Sequence, residues 1–575
     1  MTPSTSAVHI LDFPTEVLSC IFGFVKLAEP FELDGLRYFE NLTQNTTSIK
    51  SLRLVCTKFS TIATPLLLPI ASCSVLDSKS LDRLDEISHH AIFSRLVKVV
   101  RVRLGFLDEV IAKDPVNLAT YLSWTWRRHS KASDNAPSPL VDAVVDDWER
   151  LSMDPSSDVG AESLRILKSI HAEYKRRYLA QFEAHRSGAS LRRLAQAMAR
   201  MPAATRLVMD DEDHQYRNTS HLGALLIATV GAEVVDESSL AALAAPMSWY
   251  SCWHLKSTRA PDTALKLCHP PIDLIINLPV AVHQAGVALT GLRIINLQIP
   301  RYVPAWDSGA PYLRPLKLSA RDELREACRT LQVLEVTPVI YVIGNHCTKD
   351  CKEAVDPVEN FGWTYQPERR VQWTRFATIV KLMLSKSLRH LHLDSPSISF
   401  RLASWANAHN GDDFCEHMFG GYPLPNLEVL HLTNNSIGKG SELIQLIRNS
   451  EAIYQVRLIG ISMRILADSG ELIEEEGWSL VVDGLQEQTP RMRDNWLRLR
   501  GSVMNDEPVR ITSASWGELN ASPPELWDLG KDLFAKEIDG FSAVEDYIRG
   551  ATDQNPLVEA QKLYPYEEWD HEGWR

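Results

Sequence analysis

Three residues of the types that bind zinc, His346, Cys347 and Cys351, lie close together in the stretch HCTKDC. Imidazole and thiolate groups are the ligands that zinc prefers, but a structural zinc site needs four of them and usually a closer cysteine spacing. The stretch therefore predicts a surface loop with free thiols. We expect neither a metal nor another cofactor.

Motifs of catalysis and nucleotide binding are missing from the sequence. GKGSEL at 438–443 lacks the third glycine and the Lys-Ser pair of phosphate-binding loops. No G-x-S-x-G nucleophile motif occurs, and the adjacent His89 and His90 would point in different directions on a helix. No pair of carboxylates is marked as catalytic, so we do not expect an enzyme. An enzyme with an unrecognised site stays open as a third hypothesis.

Composition limits the classes of partner. The 575-residue chain carries a net charge of -13 and has no long basic run, so we do not expect a nucleic-acid ligand. Its nine scattered cysteines do not indicate a disulfide framework. The sequence contains neither a secretory signal nor an apolar run of membrane-spanning length. The expected location is the cytoplasm, the nucleus or both, with no membrane partner.

Two apolar stretches near the start of the chain have helical spacing. The first, DFPTEVLSCIFGFV, runs from Asp12 to Val25, and Pro14 suits its first turn because that N–H is not needed there. The second, RLVCTKFSTIATPLL, covers 53–67, with Ser48 and Thr57 as candidate N-caps of two further helices. Three short helices cannot bury all of these side chains among themselves. An apolar face is therefore left for a partner protein or for the following domain.

Together the two stretches resemble an F-box, in particular the F-box of large fungal proteins. The residues that carry the resemblance are Pro14, Glu16, Val17, Leu18, Ile21, Phe22, Val55, Cys56 and Phe59. Phe13 stands where the family usually has leucine, and the segment between the first two helices is longer than in the compact module.

The resemblance implies docking on a Skp-family adaptor, and through it on a cullin, within a cullin–RING ubiquitin ligase. The residues that it places at the adaptor interface are Pro14, Leu18, Ile21, Phe22, Leu54, Val55 and Phe59. From the residues alone, an ordinary helical cap on the domain behind remains the alternative.

Leucine-rich repeats are indicated further along the chain. LEVLHLTNNSI, from Leu427 to Ile437, matches the pattern L-x-x-L-x-L-x-x-N-x-hydrophobic at every fixed position, and LRHLHLDSPSI, from Leu388, differs only at Pro396. Weaker copies begin at Val97, Ala204, Leu292, Leu331 and Ile453. Helical patterns lie between the copies, as in a leucine-rich solenoid. Because the spacing is irregular, an α/β domain with leucine-patterned buried strands remains the alternative.

The predicted fold class is α/β, with an N-terminal three-helix F-box followed by an irregular leucine-rich-repeat-like α/β solenoid with helical insertions. The predicted domains are an F-box at 8–70, a repeat domain at 80–500 with insertions at 108–190 and 211–290, and a C-terminal cap or tail at 501–575. Within the first insertion, residues 160–186 have the periodicity of a helix with one apolar face.

Alternation along a repeat strand places the residues between the core leucines on the exposed, concave sheet face. The predicted target-binding residues on this face are His390, His392, Asp394, His431, Thr433 and Arg457. If the strands stack in order, His392 and His431 lie side by side. Equivalent positions in the weaker copies hold Arg101, Arg103, Asn296 and Glu335. A solvated sheet face without a ligand is the alternative.

The sequence therefore predicts a substrate-receptor subunit of an SCF-type ubiquitin ligase. The F-box would hold the adaptor, and the repeat domain would hold a target protein that the sequence does not identify. A leucine-rich-repeat scaffold with no ubiquitin-ligase role is the alternative function.

Overall fold

The computed structural model divides into two compact units, residues 1–297 and 298–575. The structure describes residues 10–25, 47–130, 139–211, 236–249, 273–295, 318–337, 379–394, 423–433, 440–453 and 455–459. Shorter described stretches are 225–226, 229, 251–252, 267, 270–271, 436–437, 462–463, 480–481, 483–487, 547 and 552–554.

Helices make up most of the first unit. They are α1 Thr15–Val25, α2 at 47–55, α3 Thr57–Ala63, α4 Ser78–His89, α5 Glu109–Lys113, α6 Pro115–Ser130, α7 Pro139–Met153, α8 Ala161–Arg186, α9 Ala189–Ala199, α10 Glu237–Leu243 and α11 Leu274–Gln284. The described helices of the second unit include α12 Leu318–Ala327, α13 at 379–383 and α14 Gly440–Asn449. None of the described helices is both long enough and apolar enough to span a bilayer.

Parallel strands recur in both units. The first unit contains β1 Ile70–Ser74, β2 Val99–Arg103, β3 Arg206–Asp210 and β4 Gly291–Ile295, which pair in chain order. The second unit contains β5 Val333–Thr337, β6 His390–Asp394, β7 Val429–Thr433 and β9 Gln455–Ile459, which also pair in chain order. The short strands β8 Ser436–Ile437 and β10 Ser462–Met463 pair with each other. The mixed α/β class predicted from the sequence is confirmed.

Several strands are preceded by a turn with the same backbone hydrogen bond. The N–H of Leu331 donates to the carbonyl three residues earlier at 3.0 Å, and the same bond precedes Leu388, Leu427 and Ile453 at 3.0–3.1 Å. Each of these four side chains is buried, and each strand begins two residues later. Ala204 in the first unit makes the same bond at 2.9 Å. The chain therefore enters these strands in one way, although the segments between them differ in length.

The repeat copy predicted to begin at Leu292 is displaced by three residues. Its strand starts at Gly291, and the buried positions that match the other copies are Leu289, Leu292 and Ile294. The apolar residues of this segment match the leucine pattern whether it is started at Leu289 or at Leu292. Gly291 pairs with Arg206, the first residue of β3, so the copy starts at Leu289, just as the preceding copy starts at Ala204.

Side chains of helix α8 make hydrogen bonds to the backbone of the segment that follows β2. The amide group of Gln181 accepts from the Leu107 N–H at 2.8 Å and donates to the Leu107 carbonyl at 2.9 Å. The hydroxyl of Tyr174 accepts from the Asp108 N–H at 2.8 Å. The helix predicted at 160–186 is confirmed as α8, and Phe182 near its end is exposed.

We expect Gln181→Leu to loosen this attachment. Both backbone groups of Leu107 would lose their side-chain partner in a buried place, which costs about 1–3 kcal/mol for each buried group left unsatisfied. Amide hydrogen exchange in peptides covering 104–110 should become at least about tenfold faster. Lys175→Leu, on an exposed turn of the same helix, is the control and should leave that exchange unchanged. Equal exchange in both variants would mean that the amide of Gln181 does not stabilise this segment.

Candidate protein-binding surfaces

The first three helices form a small core of their own. Its buried members are Leu18, Phe22, Ile49, Phe59 and Ala63, with Val25, Leu52, Cys56, Ile62, Leu66 and Leu67 packed around them. The rings of Phe22 and Phe59 meet edge to face, with centroids 4.9 Å apart. We call α1–α3 with this core the three-helix module.

Polar contacts at α3 fix its position in the module. Cys56 is the N-cap of α3 and its sulfur accepts from the Phe59 N–H at 3.4 Å, so the expected cap Thr57 is instead the first helical residue. Lys58 donates to the carbonyls of Leu11 and Phe13 at 3.0 and 2.8 Å. These bonds tie α3 to the chain that leads into α1.

The residues predicted to contact an adaptor fall into two groups in this module. Leu18, Phe22 and Phe59 are buried inside it, where they hold the helices together. Pro14, Ile21, Leu54 and Val55 are at its surface, and the exposed fractions of the last three are 39%, 88% and 62%. The exposed apolar residues that flank them in the chain are Ile10, Leu11, Phe13 and Val17. The module therefore presents apolar side chains to solvent that its own core does not need.

The corresponding sheet face of the first unit is closed to solvent at its centre, whereas Ser72 on β1 and Arg103 at the end of β2 are exposed. Arg101, Val208 and Arg293 share a lateral row on β2, β3 and β4, and each is at most 5% exposed. Arg101 was expected on an exposed binding face, and this expectation is wrong. Its Nε donates to Asp210 Oδ2 at 2.6 Å, with a second bond from the guanidinium to the same oxygen. Residues buried on both faces are typical of parallel strands covered by helices on each side.

The equivalent face of the second unit stays accessible. The predicted side-by-side placement of His392 and His431 is found in the register of β6 and β7, and their ring centroids are 5.5 Å apart. On the other side of His392, its Nδ1 lies 3.6 Å from a carboxylate oxygen of Glu335. The side chains of His390 and His392 are 45% and 30% exposed, whereas Leu391 between them is buried. A row of polar side chains therefore crosses β5, β6 and β7. It is accessible at His392 but buried at Glu335, which was expected on the exposed face, and that expectation is wrong.

Three other residues predicted on this face are placed only by their backbone. Asp394 and Thr433 are paired across β6 and β7, and Arg457 is paired with His431 across β7 and β9. Their side chains, and all of Asn296, lie outside the described residues.

A polar depression of about 530 Å³ adjoins this face at the edge where the strands begin. Its lining residues are Gln332, Ser387, Arg389, Asn426, Glu428 and Ala452. Arg389 lies 3.3 Å from Glu428, which also lies 3.9 Å from the imidazole of His390. Each of these charged side chains stands directly before or at the start of a strand, so the repeated turns bring them together.

Two buried thiols have strongly raised pKa values. Burial raises the pKa of Cys73 to about 12, and it raises the pKa of Cys328 to about 12 as well. Both thiols are therefore protonated at neutral pH and act as core residues. Among the described residues no three His, Cys, Asp or Glu side chains are grouped as a metal site. The stretch with His346, Cys347 and Cys351 lies outside those residues.

Little of the predicted C-terminal cap or tail is described. Tyr547 is 7% exposed and donates its hydroxyl to Asp483 at 2.6 Å. Burial and this carboxylate raise the pKa of Tyr547 to about 12. At this point the predicted tail contacts an earlier segment of the same unit.

Comparison with known proteins adds no relative. No protein-family model matches the chain, and no curated protein matches it.

Proposed function

We propose that this chain is a substrate-receptor subunit of an SCF-type ubiquitin ligase. The three-helix module docks on a Skp-family adaptor, which links it to a cullin, and the repeat strands bind a target protein. The chain does no chemistry itself. It raises the effective concentration of the target at the ligase.

One observation carries the proposal most directly. The three-helix module is held together by its own buried core, yet Leu54 and Val55 stand out from it with exposed fractions of 88% and 62%. Apolar side chains exposed next to each other on a folded module are typical of a protein-binding surface. The resemblance to an F-box assigns the same two residues to the adaptor interface.

The target surface on this proposal is the polar face of β5, β6 and β7. In the first unit the matching positions, Arg101, Val208 and Arg293, are buried and cannot touch a partner. His390 and His392 are accessible in the second unit. Target recognition is therefore assigned to the second unit, and the first unit supplies the adaptor-binding module.

Substituting the two exposed residues tests the adaptor interface. We expect full-length wild-type chain to co-purify with a Skp-family adaptor in a stoichiometric complex, and Leu54→Asp/Val55→Asp to lose it. Hot-spot residues of an interface contribute about 2 kcal/mol or more, so the dissociation constant should rise at least about thirtyfold. Because both side chains are exposed, the variant should keep the circular dichroism spectrum of the wild type.

Leu140→Asp/Met153→Asp is the matched control. These residues are 64% and 74% exposed at the ends of α7, which is not part of the module, and their substitution should leave adaptor binding intact. A wild-type chain that ignores the adaptor would contradict the ligase function. A chain that binds the adaptor but recruits no cullin would instead be a scaffold.

A further inference from the structure

Two imidazoles lie next to each other on the accessible face of the second unit. His392 and His431 occupy directly opposed positions of β6 and β7. Their ring centroids are 5.5 Å apart, and the ring planes are inclined by 77°. The proposed adaptor and target functions do not explain why two imidazoles meet at this place.

The distance between the rings fits a shared metal ion. A metal–nitrogen bond of about 2.0 Å puts the ion roughly 3.2 Å from a ring centroid, so two rings on one ion have centroids up to about 6.4 Å apart. The observed 5.5 Å falls inside this limit. The register of β6 and β7 fixes both Cα positions, so binding of one ion would require only the side chains to rotate.

A carboxylate adds a second, independent feature. Glu335 lies on β5 directly opposite His392, and its oxygen is 3.6 Å from the Nδ1 of that ring. Metal-bound histidines commonly direct their second ring nitrogen to a carboxylate, which orients the ring and raises its basicity. Glu335 is buried, so its position beside the imidazole is held by the surrounding sheet.

We propose that His392 and His431 together bind a divalent transition-metal ion of the zinc or nickel class, with Glu335 as the positioning residue behind His392. Imidazole nitrogen suits these ions better than it suits calcium or magnesium. No third ligand is in place among the residues that the structure describes, so water would fill the remaining coordination positions. His390, two residues before His392 on the same face, is a described side chain that could replace one water.

Calorimetric titration of the full-length chain with Zn²⁺ tests the proposal. We expect wild type to bind one equivalent more than His392→Ala/His431→Ala, and His431→Ala alone to weaken that equivalent at least about tenfold. The control, His89→Ala/His185→Ala, removes two surface imidazoles of the first unit and should match wild type. Equal stoichiometry and affinity in wild type and the His392→Ala/His431→Ala variant would overturn the site. If that variant fails to fold, His392→Asn/His431→Asn takes its place with the same expected loss.

Cobalt distinguishes this site from thiol sites elsewhere in the chain. The Co²⁺ difference spectrum between wild type and the double variant should show visible bands without the near-ultraviolet charge-transfer band of thiolate ligands. A thiolate band in that difference would assign the ion to cysteines and contradict the proposal.

Discussion

Replacing Arg101 by methionine is expected to lower the stability of the first unit by about 3–5 kcal/mol, the cost of breaking a buried ion pair from one side. Arg101 and Asp210 are 5% and 0% exposed. The substitution removes two N–H donors from a carboxylate that water cannot reach. Chemical denaturation followed by hydrogen exchange in β2 and β3 would report the change in the unit that contains them.

Removing both charges should restore most of the loss. Arg101→Met/Asp210→Leu replaces the pair with apolar side chains of similar size, which is often neutral or stabilising. Arg103→Met, at the exposed end of the same strand, is the control and should change stability by less than about 1 kcal/mol. If Arg101→Met lowers the stability no more than this control does, water must reach the Arg101–Asp210 pair.

Phe22→Ala should unfold the three-helix module while leaving the remainder of the chain folded. Truncating a buried phenylalanine costs about 3–5 kcal/mol, and the module has only five buried core residues. Phe22 is 2% exposed, and its ring packs against Phe59. Limited proteolysis should therefore cut the variant within 10–67 and spare the strands of both units.

A surface substitution on the same helix separates folding from docking. Ile21→Ala, at a position 39% exposed, should cost less than about 1 kcal/mol and leave the module resistant to protease. Leu54→Asp/Val55→Asp should also stay resistant while losing the adaptor. Protease resistance of Phe22→Ala equal to that of Ile21→Ala would show that the module does not depend on its own core.

Local pattern was enough to predict the strands of the second unit. Leu388, Leu427 and Ile453 each precede a strand by two residues, as the leucine pattern required, because buried leucines at fixed spacing specify one face of a strand. The pairing of His392 with His431 followed from stacking these strands in order. The side chains at α1 and α3 were likewise found from helical spacing, but spacing alone did not separate Leu18 and Phe22 in the core from Ile21 at the surface.

Three features of the fold could not be predicted from the sequence because they depend on tertiary packing or on ambiguous apolar runs. Nothing local to Arg101 shows that it is buried, since its partner Asp210 is 109 residues away in the chain. Strand β1 was not predicted because Ala71 and Cys73 take the place of leucines at its buried positions. The frame at Leu292 was misassigned because several apolar residues in succession fit the pattern equally well.

The entry turn that several strands share also allows the segments between those strands to differ in length. The chain leaves β6 at Asp394 and re-enters β7 at Val429, whereas it leaves β7 at Thr433 and re-enters β9 at Gln455. Both steps reach the same hydrogen-bonded start. Closing a longer loop costs only about 0.6 kcal/mol for each doubling of its length. The connecting segments can therefore change in length or sequence during evolution with little effect on the pairing of the strands. New binding surfaces could arise in these segments while the strands stay as they are.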